Sequence, residues 1–229
     1  MEIRPLLLGH RGARAVKSIS ENTLASFDFA LSSFCDGFEF DVRLTADGQP
    51  VLRHDARIRG LKISKCSARR LRLPCLRDVV SRYQRTAFLD IELKDAGLET
   101  ITVDLLRSAP PARGFVVSSF LPDVLEKVRR IDAGIPVGLI CETPRQLKRF
   151  ADLRADYGIF HHRLVGKDLI EQMKAAAKKI FVWTVNSTAD MKRFSRWGAD
   201  GIISDDPRLL ALTLRPEATF GRKTPEVLS

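Results

Sequence analysis

The feature that most constrains this chain is its alternation of short apolar runs with helix-spaced stretches. From Phe88 the pattern is regular. Phe88–Lys94, Phe115–Phe120, Pro136–Ile140, Tyr157–Phe160, Ile180–Asn186 and Gly201–Ser204 read as strands, and amphipathic stretches separate them. Upstream, Leu6–Leu8 and Gly37–Leu44 flank a helical stretch that contains Leu24, Phe27, Ala30 and Leu31. Near-continuous apolar strands separated by helices call for parallel pairing, because only a crossover can connect parallel neighbours. With eight such units in 229 residues, the expectation is an α/β chain closed as a (β/α)8 TIM barrel. An open doubly wound sheet is the other candidate, but no Gly-rich phosphate loop follows the first strand.

A ninth run, Pro50–His54, is surplus to the barrel. Asp47-Gly48 before it reads as a turn, so it is expected to fold back as a hairpin extension after the second strand. Pairing Thr45 with Pro50 would bring His54 level with Asp41. Ser20 or Asn22 is the expected cap of the first helix. Nothing in the chain argues for two domains. Residues 1–214 are expected to form one catalytic domain, and 215–229 a polar tail.

Strand side chains alternate, so Glu39 and Asp41 share a side, as do Asp90, Glu92 and Lys94. Active sites of such barrels sit at the C-terminal strand ends. Glu39, Asp41 and Glu92 form a set of oxygen donors suited to Mg²⁺ or Ca²⁺. His10 and His54, two of only four histidines, fall beside them and suit an acid–base pair. Arg11 and Lys94 place positive charge where a phosphate would gain negative charge. A net charge of +10 also favours anionic partners. Stacking aromatics are too few to expect nucleic-acid binding.

Cys35, Cys66, Cys75 and Cys141 form no Cys-x-x-Cys pair, which argues against structural zinc. The three leucines before Gly9-His10 are too few for a secretory signal, and no run approaches a membrane span. A cytoplasmic location with reduced thiols is therefore expected.

His10-Arg11-Gly12, Glu21-Asn22-Thr23, Glu39-x-Asp41-Val42, Thr45-x-Asp47-Gly48, Val51-x-x-His54-Asp55, Glu92-x-Lys94, Ser119-Phe120, Trp183–Asn186 and Gly198–Asp205 occur in the order seen in glycerophosphodiester phosphodiesterases. The chain resembles that family, within the phospholipase C-like phosphodiesterase superfamily, from about Leu7 to Pro207. The resemblance implies a metal-dependent phosphodiesterase that releases glycerol 3-phosphate and an alcohol. It implies Glu39, Asp41 and Glu92 as metal ligands, and His10 and His54 as the acid–base pair. Arg11 and Lys94 would contact phosphate, and Phe120 and Trp183 would wall the substrate pocket.

The segment after His54-Asp55 departs from the family pattern. It is short and basic, with Arg57-Ile58-Arg59-Gly60 where an Arg-Thr-Thr type motif is common. A more open site would suit bulkier diesters. A lysophospholipase D-like enzyme, touching membranes transiently through residues 56–77, is thus the alternative. Exposed Leu71 and Leu73 would favour that reading, and buried ones a small soluble diester. A non-catalytic phosphate-binding module is the third reading.

Overall fold

The computed structural model describes residues 4–150 and 153–217. In chain order the elements are β1 (Leu6–Gly9), α1 (Leu24–Ser32), β2 (Gly37–Leu44), β3 (Pro50–Leu52), β4 (Arg57–Ile58), β5 (Leu61–Lys62), α2 (Ala68–Leu71), α3 (Leu76–Tyr83), β6 (Phe88–Leu93) and α4 (Glu99–Ser108). There follow β7 (Phe115–Ser119), α5 (Pro122–Ile131), β8 (Val137–Cys141), α6 (Pro144–Phe150), β9 (Tyr157–His161), α7 (Lys167–Ala175), β10 (Lys179–Trp183), α8 (Thr188–Trp197), β11 (Gly201–Ser204) and α9 (Pro207–Leu214).

Eight parallel strands run β1-β11-β10-β9-β8-β7-β6-β2, and the pairing of β1 with β2 closes them into a barrel. This is the (β/α)8 architecture that the alternation predicts. Both faces of the strands are covered, which explains their continuous apolar character. Outward residues such as Phe38, Phe40, Leu89, Ile91 and Val117 pack under the helices in the main core. Phe27 of α1 stacks on Phe38, with ring centroids 4.1 Å apart. Inward residues form a second cluster of Leu8, Phe88, Val116, Ile140, Tyr157, Ile159, Phe181 and Ile203. The two clusters follow directly from the two-residue strand period. Gly201 makes room for this filling, because a Cβ there would fall 2.5 Å from the Phe181 ring. Packed aromatics thus plug the lower barrel and leave depth only at the C-terminal end.

The hairpin forms as expected, but one residue out of the predicted register. Leu44, not Thr45, pairs with Pro50, and Val42 pairs with Leu52. The Arg53 N–H therefore donates to the Asp41 carbonyl at 3.0 Å. The Thr45 hydroxyl explains the slip: it accepts from the Gln49 N–H at 2.9 Å and holds Thr45 inside the turn. Thr23, not Ser20 or Asn22, caps α1 and accepts from the Ser26 N–H at 3.3 Å.

The basic segment is more ordered than a plain surface loop. It contains the β4–β5 hairpin, a 3-10 turn at Ile63–Lys65 and the short α2. Val51, Ile63, Cys66 and Leu71 form a buried cluster of their own, and Leu73 packs against it. Arg215, the first residue of the expected polar tail, is docked, its guanidinium 2.6 Å from the Asp36 carboxylate. The rest of the expected polar tail, 218–229, lies outside the described residues. Among the described residues, no helix is long and apolar enough to cross a membrane.

Candidate active site

The ends of the strands deliver the chemistry to one cavity of about 280 Å³. Its walls divide into two halves. His10, Arg11, Glu39, His54, Asp90, Glu92 and Lys94 form a charged half. Phe120, Ile140, Ile159, Trp183 and Ile203, with Glu142 at the rim, form a mainly apolar half. Phe120 and Trp183 meet edge to face at 5.8 Å. All the residues expected to carry chemistry line this cavity except Asp41, which lies just behind it, buried and ion-paired to Arg11 and Lys94.

The carboxylates stand in register. β2 and β6 pair Glu39 with Asp90 and Asp41 with Glu92. Glu39, Asp41 and Glu92 each offer an oxygen within 4.8 Å of the others. Glu39 Oε1, Asp41 Oδ1 and Glu92 Oε1 are buried and accept no hydrogen bond. The Lys94 ammonium lies 3.2 Å from Asp41 Oδ1 and 2.7 Å from Glu92 Oε1, as an ion pair without hydrogen-bond alignment. Buried acceptors left unpaired are costly. Glu39, Asp41 and Glu92 together offer the carboxylate oxygens a hard divalent cation requires, and Glu39 Oε1 has neither a hydrogen bond nor an ion-pair contact. The residues therefore fit a hard divalent cation.

The electrostatics agree. Burial, then the nearby Asp41 and Glu92 charges, pushes the Glu39 carboxyl well up. Burial, then Asp41, raises Glu92 to about 8. Asp41 goes the other way: burial opposes its charge, but Lys94 and Arg11 outweigh it and hold the carboxyl down. Two fixed cations are too few for this cluster, and a divalent cation would supply the missing charge.

His10 and His54 differ in setting. His10 follows β1, and its Nδ1 lies 2.6 Å from Asp205 Oδ1. Its Nε2 lies 3.8 Å from Glu39 Oε2. His54 follows β3 and is more open, with its Nδ1 2.9 Å from Asp55 Oδ1. Burial lowers its pKa, outweighing the opposing pull of Asp55 and Asp41. Arg11 is held on two sides, its Nη1 donating to Glu21 at 3.0 Å and its Nε 3.3 Å from Asp41.

Three residues of the site escaped the sequence reading. Asp205 joins β11 to β1 chemistry through His10. Asn22 is buried; its Nδ2 donates to Asp41 Oδ2 at 2.8 Å, and its Oδ1 accepts from the Asp41 N–H at 3.1 Å. Asp90 lies one step below Glu92, is raised to about 7 by burial and accepts from the Ser118 hydroxyl at 2.6 Å. Its position on the Glu92 face was a local signal that could have flagged it. Asp205 and Asn22 fall within motifs shared with the family, but their partners, His10 and Asp41, are remote in the chain and carry no local signal.

The model of the glycerophosphoryl diester phosphodiesterase family matches residues 10–209. The chain belongs to that family. Membership makes it a phosphodiesterase and removes the basis for a non-catalytic module. A glycerophosphodiester phosphodiesterase of Caldanaerobacter subterraneus is 28% identical over 244 residues, covering 93% of this chain and 99% of that one. A glycerophosphodiester phosphodiesterase structure from Parabacteroides distasonis shares the fold with a TM-score of 0.81 at 23% identity, covering 95% and 100% of the two chains. A phosphodiesterase from Oleispira antarctica, solved with its product sn-glycerol-3-phosphate, has a TM-score of 0.80 at 24% identity, covering 92% and 96%.

Proposed function

We propose that this chain hydrolyses small glycerophosphodiesters to glycerol 3-phosphate and an alcohol, with a divalent cation and two histidines. The observation that carries the proposal is the convergence of three buried carboxylates, Glu39, Asp41 and Glu92, with His10 and His54 at one cavity. The product held by the Oleispira antarctica phosphodiesterase supports the substrate class.

Glu39, Asp41 and Glu92 would hold the cation, which when bound supplies Lewis-acid polarisation of a phosphoryl oxygen. Arg11 and Lys94 face the same space and orient the phosphate. His54, with its lowered pKa, is neutral near pH 7 and takes the proton of the nucleophile, either water or a neighbouring substrate hydroxyl. Asp205 accepts the Nδ1–H of His10 and so turns Nε2 toward the cavity. From Nε2, His10 protonates the departing alkoxide. Phe120 and Trp183 flank the organic part of the substrate and exclude water from that side.

The burial of Leu71, with Leu73 packed against the same cluster, favours a small diester over a lipid inserted alongside the loop. The test is turnover by EDTA-treated protein with and without Mg²⁺ or Ca²⁺, offering glycerophosphocholine beside lysophosphatidylcholine. Metal-dependent release from the first, absent in His10→Ala, is expected. Release from the second alone would transfer the enzyme to the lipid branch. Full activity without metal would overturn the metal assignment.

A further inference from the structure

Eight of the ten net positive charges lie in residues 56–77, a stretch without a single Asp, Glu or aromatic residue. The rest of the chain is nearly neutral. The basic character is therefore a local device rather than a property of the whole surface.

The structure shows how the device is built. Apolar side chains of the stretch turn inward onto the cluster of Val51, Ile63, Cys66 and Leu71. The Ala68 N–H donates to Asp47 at 3.0 Å, and the Ala46 N–H to the Cys66 carbonyl at 2.9 Å. These bonds tie the lobe to the hairpin turn. The cationic side chains point out instead. Lys62, Lys65, Arg69, Arg70 and Arg72 are all exposed, and among the described residues none pairs with a carboxylate. The lobe grows from β3 directly after His54 and Asp55, on an extension at the C-terminal end of β2. It therefore stands at the cavity end of the barrel.

We propose that this lobe docks the protein on an anionic lipid bilayer by electrostatics alone. A single-stranded nucleic acid would need stacking rings, and the lobe has none. A bilayer needs only a concentration of unpaired cations at one place, which attract the anionic headgroups until salt screens them. The leucines are already committed to the lobe's own core, so docking is adsorption without insertion. This inference is separate from the catalytic reading, because it concerns where the enzyme resides rather than what it cleaves.

The test is co-sedimentation of the full chain with pure phosphatidylcholine vesicles and with vesicles of equal parts phosphatidylcholine and phosphatidylglycerol. The comparison variant is Lys62→Gln/Lys65→Gln/Arg69→Gln/Arg70→Gln. Wild type is expected to pellet with the anionic vesicles only, and less as salt rises. The variant should bind them on the order of 1,000-fold more weakly, with unchanged turnover of a soluble diester. If the fourfold variant loses its thermal transition, Lys62→Gln/Arg70→Gln provides the same reading in a smaller step. Wild type that ignores anionic vesicles, or a folded variant that binds them equally, overturns the proposal. Tighter binding to a short DNA duplex than to the vesicles overturns it in favour of nucleic acid. A parallel fall in kcat/KM for the soluble diester, without vesicle binding, reassigns the lobe to substrate steering.

Discussion

Asp205 Oδ1 and His10 Nδ1 lie 2.6 Å apart across a separation of 195 residues. β1 and β11 are neighbours in the closed barrel, pairing Gly9 with Ser204, so the residues that follow each strand meet at its end. Asp205 also accepts from Asn186 at 2.7 Å and approaches Arg14 at 3.3 Å. It is a positioning residue whose role is to hold one tautomer and one orientation of His10. Asp205→Asn is expected to lower kcat by roughly 10²–10⁴-fold while KM changes little. A KM increase with unchanged kcat would refute that role.

The same carboxylate makes stability depend on acid. Burial opposes the Asp205 charge, but the hydrogen bond and charge of His10, with Asn186 and Arg14 behind them, outweigh it and lower Asp205 from 3.8 to about 2. A depressed carboxylate contributes stability above its unfolded value and loses it as pH falls through the folded one. The contribution, about 2 kcal/mol by linkage, should be present above about pH 4 and fade toward pH 2. Denaturant melts of wild type and Asp205→Asn across that window should converge at the acid end. Parallel curves would count against it.

Asn22 supports the metal cluster from behind. It makes two hydrogen bonds to Asp41, one through each end of its amide. It does so from a left-handed backbone conformation, φ 57°, which asparagine tolerates. Asn22→Ala is expected to weaken divalent-cation binding by roughly 10–100-fold, read by calorimetry without substrate. Unchanged affinity would show that Asp41 is oriented by Arg11 and Lys94 alone.

For activity against pH, the sign follows from His54. Its pKa lies below 6.5 because burial disfavours the imidazolium. A base works when neutral, so the acid limb of kcat/KM assigned to His54 should fall below pH 6.5. Asp55→Asn removes a partner that raises the His54 pKa, so it should move that limb further toward acid. A limb shifted toward alkali in that variant would contradict the assignment of His54 as base.

The outer core has its own test. Phe38 is fully buried between Phe27 and Tyr83. Phe38→Ala should cost about 3–5 kcal/mol by loss of burial and creation of a cavity. Thermal melting reads that loss, and a decrease under 1 kcal/mol would mean that the rings close over the gap.

By itself, the sequence determined whatever depends on local period. Apolar runs and helix-spaced stretches specify the strands and helices of the barrel, and their alternation specifies parallel pairing. The two-residue strand period places Glu39 with Asp41, and Asp90 with Glu92 and Lys94, because each strand alternates faces whatever its neighbours do. Only the tertiary structure decided the contacts between distant segments. Barrel closure brings Asp205 to His10. The turn bonds of Thr45 move the hairpin one residue, so that Arg53 rather than His54 lies opposite Asp41. Burial of Leu71 converts a basic loop into a lobe with its own small core. These outcomes depend on which surfaces meet when the sheet closes, and no local pattern carries that information.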